Sequence, residues 1–210
     1  MSNFKELIKN HFYINLNRRT DRRKSCIKEL SKFDIIPNRF PAIENKVGRV
    51  GCSFSHLKCL QIAKEQRFPY VAIFEDDIVI PKPNQVENIV NRILKSGVEW
   101  DVLLLAGNNF KPNKNEHVDY CIVNRCYCGT AYIVKEEFYD KLIENIKEGL
   151  LLLMKTRDQQ YSWDAWWCNL QREYKFLLIN PLSIYQREDY SDIEYCNVNY
   201  KSLMLDSDKF

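Results

Sequence analysis

Three consecutive carboxylates, Glu75-Asp76-Asp77, interrupt the run Tyr70-Val71-Ala72-Ile73-Phe74-Glu75-Asp76-Asp77-Ile78-Val79-Ile80. Adjacent acids repel one another, and keeping them away from water requires a cation or a basic partner. Carboxylates prefer hard cations such as Mg2+ and Mn2+, and an ion held by one or two of them keeps positions open for substrate phosphates. A divalent-metal site is therefore expected here; a solvated acidic turn has the same composition. A second cluster is basic: Arg18, Arg19, Arg22 and Arg23 fall within six residues. Arginine binds phosphate bidentately, and a helix N-terminus adds free N–H groups, so this stretch is a candidate anion site or a solvated basic helix face. A third stretch, Gly51-Cys52-Ser53-Phe54-Ser55-His56-Leu57, carries Ser55 and His56 side by side. Sequence neighbours on a helix do not face each other, so they are not a nucleophile and its base. The chain has no G-x-S-x-G, no G-x-G-x-x-G and no P-loop pattern, which sets aside serine hydrolases, dinucleotide oxidoreductases and P-loop enzymes.

These groups need elements to position them. Val, Ile, Phe and Tyr around the acids are strand formers, and a run with little polar alternation suits a strand buried on both faces. Acids at the carboxyl end of a central strand stand where open α/β sheets bind ligands. Before it, 12–16 reads as a strand and 17–20 as a loop. Thr20 is expected to cap a helix from Asp21 to about Phe33. A short strand at 39–43 is placed at an edge by Pro41. A helix is expected over 51–66, the central strand over 70–80, a helix over 85–94 and a buried strand over 100–106. Residues 107–117 read as a polar loop. Strands at 118–123 and 127–134 follow, with Gly129-Thr130 a candidate bulge or close approach. Helices are expected at 135–147 and 163–173; 150–159 is ambiguous. A strand at 176–179 precedes an irregular tail. Strands and helices alternate through residue 106, the pattern of one α/β domain.

The 210 residues are 45% hydrophobic and 28% charged, an ordinary globular composition, and the net charge of +3 makes no case for nucleic acid. No apolar run approaches the roughly 20 residues of a membrane span. The start lacks the basic-then-apolar pattern of a secretory signal, so the expected location is cytoplasmic, or a host-cell or virion compartment if the Lys-, Asn- and Ile-rich composition reflects a viral source. The eight cysteines are expected as reduced thiols in that setting. Cys126 and Cys128 alternate in a strand-like run, which would put both thiols on one face. A structural zinc there would need two further ligands, and no cysteine or histidine pair has the spacing.

Taken in order, YINLNRRTDRR, GCSFSHLKCL and PYVAIFEDDIVI, with the weaker CGTAYIVKEEFYDKL and INPLSIYQREDYSDI, resemble glycosyltransferase family 25, the lipooligosaccharide and procollagen galactosyltransferases, over about residues 11 to 193. The resemblance implies a GT-A-type, Rossmann-like nucleotide-diphospho-sugar transferase fold with a mixed central sheet. One domain would span 1–210, with the nucleotide-sugar half at about 11–106 and the acceptor side at about 107–195. It implies a UDP-hexose donor, galactose or glucose, and a Mn2+ cofactor with Mg2+ as the alternative ion. Asp77 would ligate the metal, with Glu75 meeting the ribose or a metal-bound water. Tyr13, Asn15 and Leu16 would line the uracil, with Arg18 and Arg22 near the ribose or diphosphate. Ser55, His56, Asp76 and Asn108 would support the donor pocket, and Asp101 and Asn109 are lesser sugar contacts. Many such folds offer the metal a late histidine. Here the last is His117, so Gln186 takes that place.

The family is associated with inversion at the sugar carbon, and a single displacement needs a general base. Asp164, in Ser162-Trp163-Asp164-Ala165-Trp166-Trp167, is the candidate; Asp189 and Asp192 are alternatives. The tryptophans are expected either against the sugar or in the core. The acceptor would be a hydroxylysine of a collagen-like polypeptide or a lipooligosaccharide sugar, and a homodimer is compatible with the reading. Two other functions fit the same residues, a silent nucleotide-sugar-binding protein and a metal-dependent nucleotide-sugar hydrolase.

Overall fold

Along the acid-bearing strand, Val71 and Ile73 enter one core cluster while Ala72 and Phe74 enter another. This is the period-two alternation of a strand covered on both faces. The computed structural model describes residues 3–110 and 117–206; residues 111–116 of the expected polar loop and both chain ends lie outside them. The elements are α1 (Phe4–Leu7), β1 (His11–Asn15), α2 (Thr20–Leu30), β2 (Arg39–Pro41), α3 (Gly48–Glu65), β3 (Tyr70–Glu75), β4 (Ile78–Val79), α4 (Pro83–Ser96), β5 (Val102–Asn109), β6 (Tyr120–Ile122), β7 (Cys126–Lys135), α5 (Tyr139–Thr156), α6 (Trp163–Trp166), β8 (Phe176–Ile179), β9 (Tyr185–Gln186), β10 (Asp189–Ser191), β11 (Cys196–Val198) and α7 (Lys201–Leu205).

Seven strands form one sheet in the order β2-β1-β3-β7-β5-β8-β6. β1 runs parallel to β2 and β3, β5 runs parallel to β8, and β7 is antiparallel to both β3 and β5. The sheet is therefore mixed, and β2, with its proline, is an edge as expected. Val50, Leu57, Leu60 and Ala63 of α3 and Leu142, Ile146, Leu150 and Leu153 of α5 cover one face. α1, α2, α4 and α7 cover the other through Phe4, Leu30, Ile89 and Met204. The result is a single three-layer α/β domain. Among the described residues, no helix is long and apolar enough to cross a membrane.

Several local expectations change. Thr20 is the first residue of α2 rather than its cap; Arg19 holds the cap position without a side-chain hydrogen bond. The acid run is two strands, because the chain turns at Asp76-Asp77 and β4 leaves the main sheet to pair with β9. Pro83 opens α4 at its first turn, where a missing N–H costs nothing. The ambiguous stretch after 150 continues α5 to Thr156. The helix expected over 163–173 is α6 followed by a 3-10 segment, Trp167–Arg172. The tail carries the β10–β11 hairpin.

The expected irregularity at Gly129-Thr130 is present. Ala106 pairs with Ala131 but Asn108 pairs with Tyr127, so β7 carries extra residues there. Cys128 takes φ of 64°, and this left-handed residue breaks the alternation. Cys126 consequently packs in one core cluster and Cys128 against the other, not on one face. Gly129 permits a close approach: a Cβ there would lie 1.8 Å from Cη2 of Trp163.

Candidate active site

β1, β3 and β5 point the same way, so their carboxyl ends converge. Leu16, Glu75 and Asn108 from those ends line one cavity of about 1110 Å³. Glu75 follows Ile73 in the alternation and so turns toward the α3 side of the sheet. Asp76 and Asp77 form the turn beyond it. The β4–β9 pairing sets Ile78 opposite Gln186, and the Gln186 amide Nε2 donates to Glu75 Oε2 at 3.0 Å. Thr130 Oγ1 adds a longer contact to the same oxygen at 3.4 Å. The backbone N–H of Arg187 donates to the Asp77 carbonyl at 2.7 Å, tying the late segment to the acid turn.

Arg22 is the basic partner of the acids. Its NH1 group donates to Asp76 Oδ1 at 3.0 Å and to Asp77 Oδ2 at 3.1 Å; its Nε donates to Asp189 at 3.0 Å and NH2 to the Tyr190 carbonyl. Every nitrogen is engaged, so Arg22 serves as a buried countercharge beneath the acids rather than a free phosphate ligand. Asn15 Nδ2 donates to Asp76 Oδ2 at 2.6 Å, and Asn15 itself is 1% exposed. Asp77 Oδ1 is buried and has no hydrogen-bond partner among the described residues. Burial, together with neighbouring negative charge, raises both Glu75 and Asp77, each to about 7; Asp164 is the larger neighbour for Glu75, and Glu75 for Asp77. Burial also raises Asp76, against the opposing pull of Arg22 and Asn15. An unpaired buried carboxylate oxygen in an acid cluster is a donor set that fits a hard divalent cation.

The other expected residues divide by the face on which they fall. Tyr13 is 1% exposed and packs in the core cluster on the α2 side. That placement removes it from any nucleotide wall, because Ile14, not Tyr13, alternates toward the cavity. Asn15 acts through Asp76 rather than lining the cavity. Arg18 sits on the rim, bridging Glu44 at 2.5 Å and Asp192 at 2.9 Å. Ser55 is buried; it accepts from the Ile43 N–H and donates to the Gly51 carbonyl, which fixes the 42–47 loop on α3. His56 is fully buried, its Nδ1 lies 2.8 Å from the Tyr132 hydroxyl, and burial pulls its pKa down to about 3, so the imidazole is neutral. Asp101 accepts from the Lys175 N–H at the far end of β5, away from the cavity. Asp164 lines the cavity and accepts from the Cys128 N–H at 3.2 Å. Trp163 and Trp167 are core residues. Of the tryptophans in this segment, Trp166 is the one with a half-buried ring at the cavity, beside Tyr161 at 5.2 Å between centroids.

Three groups at the site had partners that the sequence did not reveal. Arg19 joins Asp21, Asp189 and Asp192, and with Arg22 it clamps the β10–β11 hairpin over the acid turn. Arg125 lines the cavity with its Nε on the Tyr127 hydroxyl at 2.7 Å. Cys52 stands one turn before His56 on α3; the i, i+4 spacing was visible, but its partner Glu75 was not. Among the described residues, eight carboxylates and five arginines line the cavity. That balance is net negative, which a bound cation would offset for an anionic ligand.

The site thus sits on a mixed sheet with helices on both faces, at an acid turn at the carboxyl end of its central strand. A sequence profile described as "Glycosyltransferase family 25 (LPS biosynthesis protein)" matches residues 46–158. The chain belongs to glycosyltransferase family 25 and is a glycosyltransferase. No curated protein matches its sequence significantly. Among solved structures, the A197 protein from STIV is similar at 13% identity and a TM-score of 0.53, with 96% of each chain covered, which bears on the fold alone. A glycosyltransferase involved in glycosylation of the major capsid of PBCV-1 aligns at 8% identity over 82% of this chain and 81% of its own, TM-score 0.49. A Drosophila beta-1,4-galactosyltransferase 7 mutant in complex with manganese, UDP-Gal and xylobiose aligns at 10% identity over 95% and 75%, TM-score 0.45. Similarities that weak carry nothing further.

Proposed function

We propose that the cavity binds a UDP-hexose together with Mn2+ or Mg2+ and transfers the hexose, with inversion, to an acceptor hydroxyl. The observation that carries this reading is the buried, unpartnered Oδ1 of Asp77 in the turn that follows Glu75, whose carboxylate Gln186 reaches. Asp77 would hold the ion directly, with Glu75 and the Gln186 side-chain carbonyl completing the protein's share. When bound, the ion neutralises charge that builds on the departing diphosphate. Leu16 and Asn108, at the ends of β1 and β5, face the nucleotide. Arg18 exchanges its exposed pairs, worth about 0–1 kcal/mol, for contact with the donor. The first half of the chain thus serves the donor, and the segment from β6 to the hairpin serves the acceptor.

Asp164 is the proposed base. It takes the proton of the acceptor hydroxyl while that oxygen bonds to the anomeric carbon. The bond from that carbon to the UDP oxygen breaks, and its electron pair leaves with UDP. The hydrogen bond from the Cys128 N–H holds one carboxylate oxygen of Asp164 in place. The cavity, just above the roughly 300–1,000 Å³ typical of ligand sites, has room for a donor and an acceptor sugar together. The half-buried Trp166 ring supports a saccharide acceptor; hydroxylysine in a collagen-like polypeptide is the other class.

The test is turnover of a panel of UDP-sugars by the purified chain with Mn2+, with galactose-type saccharides and hydroxylysine peptides as acceptors. Transfer that requires acceptor and is abolished by chelation is the expected result. UDP-sugar cleavage at an equal rate without acceptor would make the protein a hydrolase. Binding without turnover would make it a nucleotide-sugar carrier, and neither binding nor turnover would end the enzyme reading.

A further inference from the structure

Behind the acid turn lies a second set of ligand atoms of different character. The Cys52 thiol, the His56 imidazole and the Glu75 carboxylate offer one atom each, all within 4.8 Å of one another. Cys52 and His56 are i, i+4 on α3 and so share a face; Glu75 reaches that face from the end of β3. His56 is 0% exposed, and its Nε2 has no hydrogen-bond partner. That nitrogen lies 3.5 Å from Glu75 Oε1, too far for a good hydrogen bond in a closed site. The other carboxylate oxygen, Oε2, is the one taken by Gln186 and Thr130.

The imidazole is held firmly in this direction. Its ring stacks on Trp163 at 3.8 Å between centroids and on Tyr132 at 5.8 Å. Its Nδ1 meets the Tyr132 hydroxyl. With Nδ1–H donating to that hydroxyl, the Nε2 lone pair points toward Cys52 and Glu75, the arrangement that orients a metal-binding histidine.

Size and donor type select the ion. A tetrahedral ion with bonds of about 2.0–2.3 Å holds its ligand atoms about 3.3–3.8 Å apart. The His56–Glu75 separation already falls in that range. The remaining separations need to close by no more than about 1–1.5 Å, within reach of a thiol side-chain rotation. Thiolate, imidazole and one carboxylate suit a borderline-soft ion and are a poor set for Mg2+ or Mn2+. All three residues line the cavity, so a fourth coordination position faces the space where substrate would sit.

We propose that Cys52, His56 and Glu75 form a second metal site, for a zinc-type transition-metal ion, with an open position toward the cavity. Binding releases the Cys52 thiol proton to solvent as the sulfur–metal bond forms. The site shares Glu75 with the hard-cation reading above but does not use Asp77, so Asp77→Asn separates the two.

The test uses the full chain, stripped with EDTA, kept reduced with a phosphine and titrated with Co2+. A thiolate-to-cobalt charge-transfer band saturating at one equivalent, and displaced by Zn2+, is expected. Cys52→Ser should abolish the band, Asp77→Asn and Cys128→Ser should keep it, and Tyr132→Phe should weaken affinity about 10- to 100-fold with the band intact. No band in the wild-type chain, or one that survives Cys52→Ser, overturns the proposal. Should Cys52→Ser not fold, a crystal of the wild-type chain soaked in Zn2+ decides it. An anomalous peak between the three side chains is expected, and its absence there rejects the site.

Discussion

Replacing Asp77 by Asn should move stability and function in opposite directions. In the metal-free protein Asp77 is an acid held near 7 instead of its ordinary 3.8, by burial and by Glu75. The unfolded chain loses this proton near pH 4 and the folded chain keeps it to about pH 7. Across that window the folded state binds more protons, so stability falls as pH rises. At about 1.4 kcal/mol per pH unit the ceiling is about 4 kcal/mol. Sharing the charge with Glu75, and losing the Arg22 contact, leaves a net gain for Asp77→Asn of about 1–3 kcal/mol at pH 7.5. At roughly 2–4 °C per kcal/mol for a chain of this size, Tm in EDTA should rise by about 2–12 °C. The gain should vanish near pH 4, where both versions are neutral at this position. Saturating Mn2+ should raise the wild-type Tm at pH 7.5, while the variant should show no such rise and no transfer. Thermal melts at pH 4.5, 6 and 7.5, with EDTA or Mn2+, measure all of this. A variant less stable than wild type in EDTA at every pH, or one whose Tm still climbs with Mn2+, would refute the electrostatic argument.

Other perturbations separate the remaining roles. Asp164→Asn should keep UDP-sugar binding, by calorimetry, within about twofold while lowering transfer by roughly 10²–10⁴-fold; turnover like wild type would take Asp164 out of the role. Arg22→Met leaves Asp76 and Asp77 without their countercharge and should cost about 3–5 kcal/mol in urea unfolding at pH 7.5, shrinking toward pH 4 as the acids neutralise. Gly129→Ala drives a methyl into Trp163; a loss of about 1–3 kcal/mol and an altered near-ultraviolet circular dichroism spectrum are expected, and a neutral result would mean that the Trp163 ring moves freely.

The chemistry-bearing segments were readable because their signals are local. An apolar strand run ending in three acids, arginines between a strand and a helix, and 3.6-residue apolar spacing each fit within a dozen residues. Pro41 could mark an edge and Gly129 an irregularity for the same reason: the cause lies in the residue itself. The placements that define the site are of another kind. Gln186 meets Glu75 across 111 positions, and Arg22 meets Asp189 across 167. Tyr13 and Ile14 differ only in which side of β1 they occupy, and strand register against β2 and β3 decides that one enters the core and the other the cavity. His56 could not be told from an ordinary buried histidine until Trp163 and Tyr132 closed around it and left Nε2 facing Glu75. Residue type and short spacing specified strands, helices and the kind of charge at their ends. Which acid found arginine, amide, imidazole or no partner at all was decided by packing between distant elements, because hydrogen bonds and ion pairs depend on separation in space and a linear pattern records only separation along the chain.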